Sequence, residues 1–383
     1  MLVTVVGGNL QGVEAAYLAQ KAGWEVVVVD RKPIVPASGI CDRFIQTDIT
    51  GEQNLKDRFQ GVDLVVPALE NETALICLNE FTLATGLPFA FDLNAYLLSS
   101  SKLKSDRLFA QIDVPAPRPW PDCNFPVVAK PSTGSGSQGV MVFDHSEALQ
   151  KFIETTGTHW VIQEYVQGPS YSIEVLGMPG QYTAIQVTDL EMDADYDCKR
   201  VLAPTDLPEM LTPAFENLSI EIAQALGLKG LMDVEVILHE NRLKVLEIDA
   251  RLPSQTPTAV YWSTGLNMVE MLANLLVGKD TEKKTAPDAP KGVIYEHIKV
   301  SPGLIEVAGE HIMSGTDALY IHQNFFGADE AITNYAAERD QWVATLIISE
   351  TDRNAAWDKR NSIISHLKKK FKVDKVLDPV PTR

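Results

Sequence analysis

The sequence is short of most features that settle a function quickly. Its 383 residues include only four cysteines, Cys41, Cys77, Cys123 and Cys198, with no Cys-x-x-Cys and no histidine clustered with them. That spacing argues against a zinc site or a disulfide framework and predicts buried free thiols in a reducing compartment. No uninterrupted run reaches the roughly 20 apolar residues of a membrane span. The amino terminus lacks a basic leader, its apolar run being broken by Gln11, Glu14 and Lys21. The expected location is the cytoplasm. Positive charge is scarce, with 33 lysines and arginines against 51 acids and a formal charge of −18. Nucleic acid and anionic membranes are thereby excluded as partners by repulsion, whereas a small substrate can still meet a locally basic site. Oligomeric state is left open.

A further absence lies near the start. The stretch "VVGGNLQG", residues 5–12, writes a strand, a glycine-rich turn and a helix, as dinucleotide-binding folds do. Gly7 and Gly12 fit the outer positions of Gly-x-Gly-x-x-Gly, but Asn9 holds the middle one, where a pyrophosphate needs bare backbone. An NAD-dependent oxidoreductase has this stretch alone in its favour. The fold signal is firmer. The buried runs "LVTVV", "EVVVVD" and "VDLVVPAL" alternate with helical segments over residues 1–100, which predicts a parallel sheet covered on both faces. Ligands of such sheets sit beyond the carboxyl ends of the strands, here at Asn9 to Gly12, Asp30 and Glu70 to Glu72.

Beyond residue 100 the pattern changes. A helix is expected around "SKLKSDRLFAQ", then a proline-rich connection, "VPAPRPWPDCNFP", then strand, small-residue loop and strand in "VVAKPSTGSGSQGVMVF". "HWVIQEYVQG" and "SYSIEVLG" read as further strands, and residues 214–227 as an amphipathic helix. From about residue 290 short strands and turns alternate up to a last helix near "NAAWDKRNSIISHLKKKF".

The chain has no Walker A loop and no Ser-His-Asp arrangement. What it has is Lys130 at a strand end, followed by Gly134, Gly136, Gly139 and three serines. Such a loop can drape N–H groups and hydroxyls over phosphates beside a lysine point charge; a plain hairpin tip would look similar. The second element is "LMDVEVILHENRLKVLEIDAR", two apolar runs around "HEN" that predict a β-hairpin. With the turn centred on Glu240, Asp233 falls opposite Glu247. Glu247, Asp249 and Arg251, two apart, share one face. Carboxylates gathered in this way repel one another unless a cation sits among them, and oxygen-only ligands suit Mg²⁺. Arg251 is placed to neutralise a phosphoryl group or a substrate carboxylate.

A lysine with a small-residue loop followed, a hundred residues on, by a carboxylate hairpin resembles the ATP-grasp ligases, which join a carboxylate to an amine through an acyl phosphate. Within them, "GGNLQG", "YDC" at 196–198, "KGLMDVE" and "EIDARLPSQTPTAVYWSTG" are similar to the pyrrolysine-biosynthesis ligases. The resemblance implies an α/β chain: a Rossmann-like parallel-sheet domain (1–100), an ATP-grasp domain (101–290) whose two α+β subdomains hold ATP between them, and a C-terminal α/β extension (291–383) packing on the grasp core. The grasp would divide into a central lid (about 120–180) and a metal-hairpin part (about 181–290). It implies ATP and Mg²⁺ as cofactors, with Lys102, Lys130, Ser137 and the linker Gln163, Glu164, Tyr165 and Val166 on ATP, and Asp233, Glu247 and Asp249 on the metal. Lys130 and Arg251 take the catalytic roles. The implied reaction joins 3-methyl-D-ornithine, or D-ornithine, to the ε-amine of L-lysine; another ATP-grasp amino-acid ligase is the alternative of the same type. By charge, Glu174 and Asp249 would take the ornithine ammonium groups, and Arg251 with Ser254 its carboxylate. Glu70 would take the lysine α-ammonium, and Gln11 with the Gly12 N–H the lysine carboxylate.

Overall fold

The computed structural model describes residues 1–51, 55–134, 139–156, 159–278 and 289–381. The three apolar runs of the amino-terminal region behave as their composition dictates, and a fourth strand joins them. Strands β1 (Leu2–Val6), β2 (Glu25–Asp30), β3 (Arg43–Gln46) and β4 (Leu64–Pro67) form a parallel sheet in the order β3-β2-β1-β4. The valines of β2 are buried on both faces, which is why the run shows no alternation. Strand β3 gave no sequence signal because "RFIQ" is a short, half-exposed edge strand. The helix Leu10–Lys21 joins β1 to β2 and buries Tyr17 and Leu18.

Three short antiparallel strands, β5 (Val127–Pro131), β6 (Met141–Phe143) and β7 (Trp160–Glu164), make a small sheet in the order β6-β5-β7. All remaining strands belong to one eleven-stranded sheet. They are β8 (Ser170–Met178), β9 (Gln181–Met192), β10 (Cys198–Ala203), β11 (Gly230–His239), β12 (Arg242–Asp249) and β13 (Gly292–Ser301). Beyond these come β14 (Leu304–Val307), β15 (Tyr320–Phe325), β16 (Ala328–Thr333), β17 (Trp342–Glu350) and β18 (Lys375–Leu377). The small sheet therefore ends at Glu164, short of the expected lid boundary near 180, since β8 already pairs with β9 and β11. The carboxyl-terminal strands continue the large sheet through the β10–β13 pairing.

The hairpin β11–β12 is built by composition on both faces. Met232, Val234 and Val236 of β11, with Val245 and Ile248 of β12, pack against Phe215, Ile222 and Ala223 of the helix Thr212–Leu226. Asp233 and Glu235, at the intervening positions, are left on the opposite face. The turn is the two residues Glu240 and Asn241, both left-handed at φ 49° and 61°, the mirror-image turn that suits strand twist.

Charged side chains tie the parts together. Arg200 on β10 reaches Glu296 on β13 and Asp378 (2.7 Å) of the terminal segment, and stacks on Trp357. The four cysteines are unpaired, as expected, although only Cys123 is buried. Among the described residues no helix is long and apolar enough to cross a membrane.

Glu14, on the helix Leu10–Lys21, joins the first sheet to the grasp by accepting a hydrogen bond from the Thr258 N–H at 2.6 Å. It is 1% exposed, and burial pushes its pKa from 4.5 up to about 7. The folded state thus holds this proton more tightly than the unfolded chain. Its stabilising effect is complete below about pH 4.5 and is lost as pH rises through about 7. The Glu14→Gln variant, which keeps an acceptor for Thr258, is expected to gain on the wild type by up to roughly 3 kcal/mol between pH 5 and pH 8. Urea denaturation at both pH values measures the difference, and a pH-independent gap would contradict the assignment.

Candidate active site

The expected pairing of Asp233 with Glu247 is corrected by the structure. Strand β12 carries one extra residue between Val245 and Glu247, so the register shifts and Asp233 lies opposite Asp249, with Glu235 opposite Glu247. On the other side β8 sets Glu174 beside Asp233 and Ser172 beside Glu235. Two rows of side chains result, Glu174–Asp233–Asp249 and Ser172–Glu235–Glu247, on one face of the sheet. The extra residue is Leu246. Were β12 to alternate regularly through Leu246, with no bulge, Glu247 and Asp249 would turn into the helix-backed core and Ile248 out of it. Glu235 went unassigned in the sequence although it stands two residues after Asp233 in "MDVE", the spacing that shares a face.

Burial dominates the electrostatics of these rows. It raises Asp233 well above the usual carboxylate range, with Asp249 adding to the effect, and raises Glu235 to about 7 and Asp249 to about 6. Asp233 Oδ1 and Asp249 Oδ1 are buried and have no hydrogen-bond partner among the described residues. Orphaned carboxylate oxygens facing each other across paired strands fit a hard divalent cation such as Mg²⁺.

Lysines close one end of the rows. Lys102, in the first turn of the helix Lys102–Gln111, places Nζ 2.9 Å from Glu247 Oε1 and 2.9 Å from the Gly134 carbonyl. Lys130, at the end of β5, donates from Nζ to the Leu246 carbonyl at 3.3 Å. The bulge that turns the acids also presents this carbonyl. Burial lowers the Lys130 pKa, and Glu247 opposes the shift. Ser137 lies outside the described residues. Of the linker, Gln163 and Val166 are buried, Glu164 pairs with Lys244 at 2.6 Å, and the Tyr165 hydroxyl lies 2.8 Å from that of Tyr196. The Glu164 carboxylate is thus already neutralised, leaving the linker's backbone and its apolar side chains as the surface it can offer a nucleotide.

At the other end stands Arg251. Its guanidinium lies 2.8 Å from Asp249 Oδ2 and 3.0 Å from Glu70 Oε1, at the tip of β4. Gln11 Nε2 donates to the same Glu70 oxygen at 3.3 Å. A cavity of about 500 Å³ runs from the acid rows to these strand tips, lined by Asp233, Glu247, Asp249, Arg251, Ser254 and Gln11 among others. Gly12 and Glu174 are not on its wall. Gly12 lies against the Gly7 carbonyl, where a Cβ would come within 2.1 Å. Glu174 is fully buried behind the wall. Tyr196 and Asp197, from the "YDC" stretch that carried the resemblance but was given no role, also reach the cavity, as does Glu310, which nothing in its sequence surroundings marked. The dinucleotide reading fares poorly, since the Asp30 carboxylate is taken by the N–H groups of Gly8 and Lys32 (both 2.8 Å) and Asn9 bonds to Ser314.

Comparison with known proteins places this geometry. The family described as the ATP-grasp domain matches residues 99–255. The 3-methyl-D-ornithine–L-lysine ligase of Methanosarcina mazei is 36% identical over 372 residues, which cover 96% of each chain. This chain belongs to the 3-methyl-D-ornithine–L-lysine ligase family. The fold is shared more widely. Biotin carboxylase of Campylobacter jejuni, solved with an ATP analogue, superposes with a TM-score of 0.72 at 15% identity, covering 95% of this chain and 91% of that one. The biotin carboxylase domain of Hydrogenobacter thermophilus 2-oxoglutarate carboxylase, solved with MgADP and bicarbonate, gives 0.71 at 14% identity, covering 95% and 89%. In this ligase the predicted lysines, acids and arginine therefore stand on a fold that handles nucleotides in its relatives.

Two outcomes test the site. Lys130→Met is expected to lower turnover by roughly 10²–10³, or ~3–4 kcal/mol, with the fold intact; near-native turnover by ADP release would refute the role. Deleting Leu246 leaves Glu247 and Asp249 on the acid face by regular alternation but removes the bulge carbonyl that holds Lys130, so the protein is expected to lose much of its Mg²⁺-dependent nucleotide binding in calorimetry. Retention of that binding would show that the bulge does not set the site.

Proposed function

We propose that this ligase activates the carboxylate of 3-methyl-D-ornithine, or D-ornithine, with ATP and Mg²⁺ and joins it to the ε-amine of L-lysine, in pyrrolysine biosynthesis. The reaction is ADP-forming, and the partners are small amino acids. The observation that carries the reading is the convergence of Lys102 and Lys130 on the Glu247 end of two carboxylate rows, in a chain collinear with the family.

In this reading Lys102 and Lys130 hold the ATP phosphates, and the linker 163–166 lies along the adenine. Asp233, Glu247 and Asp249 hold Mg²⁺, with Glu235 completing the acidic face. The ion, when bound, offsets the charge of the transferring phosphate. The D-amino acid's carboxylate oxygen attacks the γ-phosphorus and the β-γ bridge breaks, giving ADP and an acyl phosphate. The neutral ε-amine of lysine then attacks the acyl carbon, phosphate leaves, and the amine gives up a proton. Arg251 neutralises the reacting carboxylate and phosphate; its pairs with Asp249 and Glu70 fix the guanidinium in advance. Ser254 assists at the same carboxylate, and Asp249 and Glu174 supply the negative potential that draws a doubly cationic amino acid. At the strand tips Gln11 and Glu70 keep the α end of lysine away from the acyl phosphate, so that only the ε end reaches it, whereas Gly12, off the cavity wall, takes no part.

The test is product analysis. With Mg-ATP, L-lysine and D-ornithine or its 3-methyl derivative, mass spectrometry should find the isopeptide, and ADP should accumulate only with both amino acids present. ADP formation without isopeptide would sink the proposal. Arg251→Ala should cut isopeptide formation by about 10²–10³, and unchanged rates would remove the arginine from the mechanism.

A further inference from the structure

The carboxylates around the cavity are not equivalent. Lys102 pairs with Glu247, and Arg251 is shared between Asp249 and Glu70. Asp30 caps two backbone N–H groups, and Asp197 accepts from the ring and the backbone of His311 at 2.6 and 2.9 Å. Asp233 and Glu235 also lack an ion-pair partner among the described residues but belong to the acid rows; Glu310, outside those rows, differs from the rest. It lies on the cavity wall, and among the described residues it has no ion-pair partner. Both of its hydrogen bonds fall on a single oxygen, Oε2, which accepts from the Ser254 hydroxyl at 2.6 Å and from Gln255 Nε2 at 2.9 Å. Among the described residues Oε1 is left without a bond.

The surroundings hold this carboxylate firmly. Its two chain neighbours are clamped, Gly309 N–H to Asp193 Oδ2 at 2.8 Å and His311 to Asp197. A side chain at 309 would collide with the Asp197 carboxylate, its Cβ lying 2.3 Å away. Gln255, which helps to grip Glu310, sits at φ 81° and ψ −61°, a strained γ-turn conformation closed by the bond from the Thr256 N–H to the Ser254 carbonyl at 3.1 Å. Strain of this kind persists where surrounding contacts over-determine the geometry, and here those contacts converge on Glu310.

We propose that Glu310 receives the α-ammonium group of the amino acid whose carboxylate is activated, and so selects an α-amino acid over a simple ω-amino acid. This deepens the ligase reading and rests on it. Ser254 is the link. In that reading it stands beside the substrate carboxylate that Arg251 neutralises, and its one hydroxyl proton goes to Glu310, so the anion-binding and ammonium-binding groups are neighbours, as they are in a zwitterion. An ammonium ion beside Oε1 supplies the one cation that this carboxylate lacks. The assignment also gives the carboxyl-terminal extension a direct part in recognition. Glu70, which already faces Arg251, is less suited to the task.

The experiment compares D-ornithine with 5-aminopentanoate, which keeps the carboxylate and the distal amine and lacks the α-amine. Coupling to L-lysine is followed by mass spectrometry. Wild-type kcat/KM should favour D-ornithine by about 100-fold or more, because a site built for a charged N–H group rejects an analogue without it. In Glu310→Gln, which retains an acceptor for Ser254, the ratio should fall below about tenfold, with the KM for ATP within about twofold of wild type. A loss confined to packing would slow both substrates alike and keep the ratio, which overturns the proposal. Should the variant fail to fold, equal use of the two acids by the wild type overturns it independently. A wild type that yields no isopeptide with D-ornithine defeats the ligase reading, and this inference with it.

Discussion

One inserted residue in one strand governs the site. At Leu246 the alternation of β12 slips by one, and the apolar positions change from Leu243 and Val245 to Ile248 and Ala250. The helix-backed face stays apolar throughout, while Glu247 and Asp249 emerge on the opposite face beside Asp233 and Glu235. The constraint is the hydrophobic effect acting through a period of two: each side chain must choose a face, and the bulge changes which residues make the choice. The same irregularity frees the Leu246 carbonyl for Lys130. Acids and lysine are thus brought together by a single backbone event.

The arrangement has an electrostatic logic. Buried acids without counter-ions are costly, and the raised pKa values of Asp233, Glu235 and Asp249 express that cost. Lys102 and Arg251 offset part of it from opposite ends. The remainder is available to a divalent ion and to cationic substrates. An acidic protein with a net charge of −18 is well matched to amino acids that carry extra ammonium groups, and it needs local lysines to accept a polyphosphate.

The carboxyl-terminal residues complete the cavity as well as the sheet. Ser314 touches Asn9 at 3.1 Å, the Leu319 N–H bonds to the Pro36 carbonyl at 2.9 Å, and Glu310 grips the segment after Arg251. Amino-terminal turn, grasp hairpin and extension therefore share one wall. The Gly-rich turn at residues 7–12 is held by protein groups, which explains why it keeps the look of a dinucleotide site while its Asp30 and Asn9 are already engaged.

The sequence by itself determined the elements and much of the chemistry. Doubly buried valine runs specify a parallel sheet, two-apart acids specify one face, and Lys102, Lys130 and Arg251 stand at element ends where side chains can converge. It carried a trace of the bulge too, in the adjacent apolar pair Val245–Leu246, although a turn centred on Glu240 hid it and set the register wrongly. Tertiary structure alone decided which strands adjoin and which distant residues meet. Glu310 reaches Ser254 across 56 positions of chain, and Glu174 sits beside Asp233 only because β8 pairs with β11. Local pattern fixes the face a residue shows to its own sheet, whereas contacts between distant segments follow from how whole faces pack. That packing is a sum over many residues, and no short motif records it.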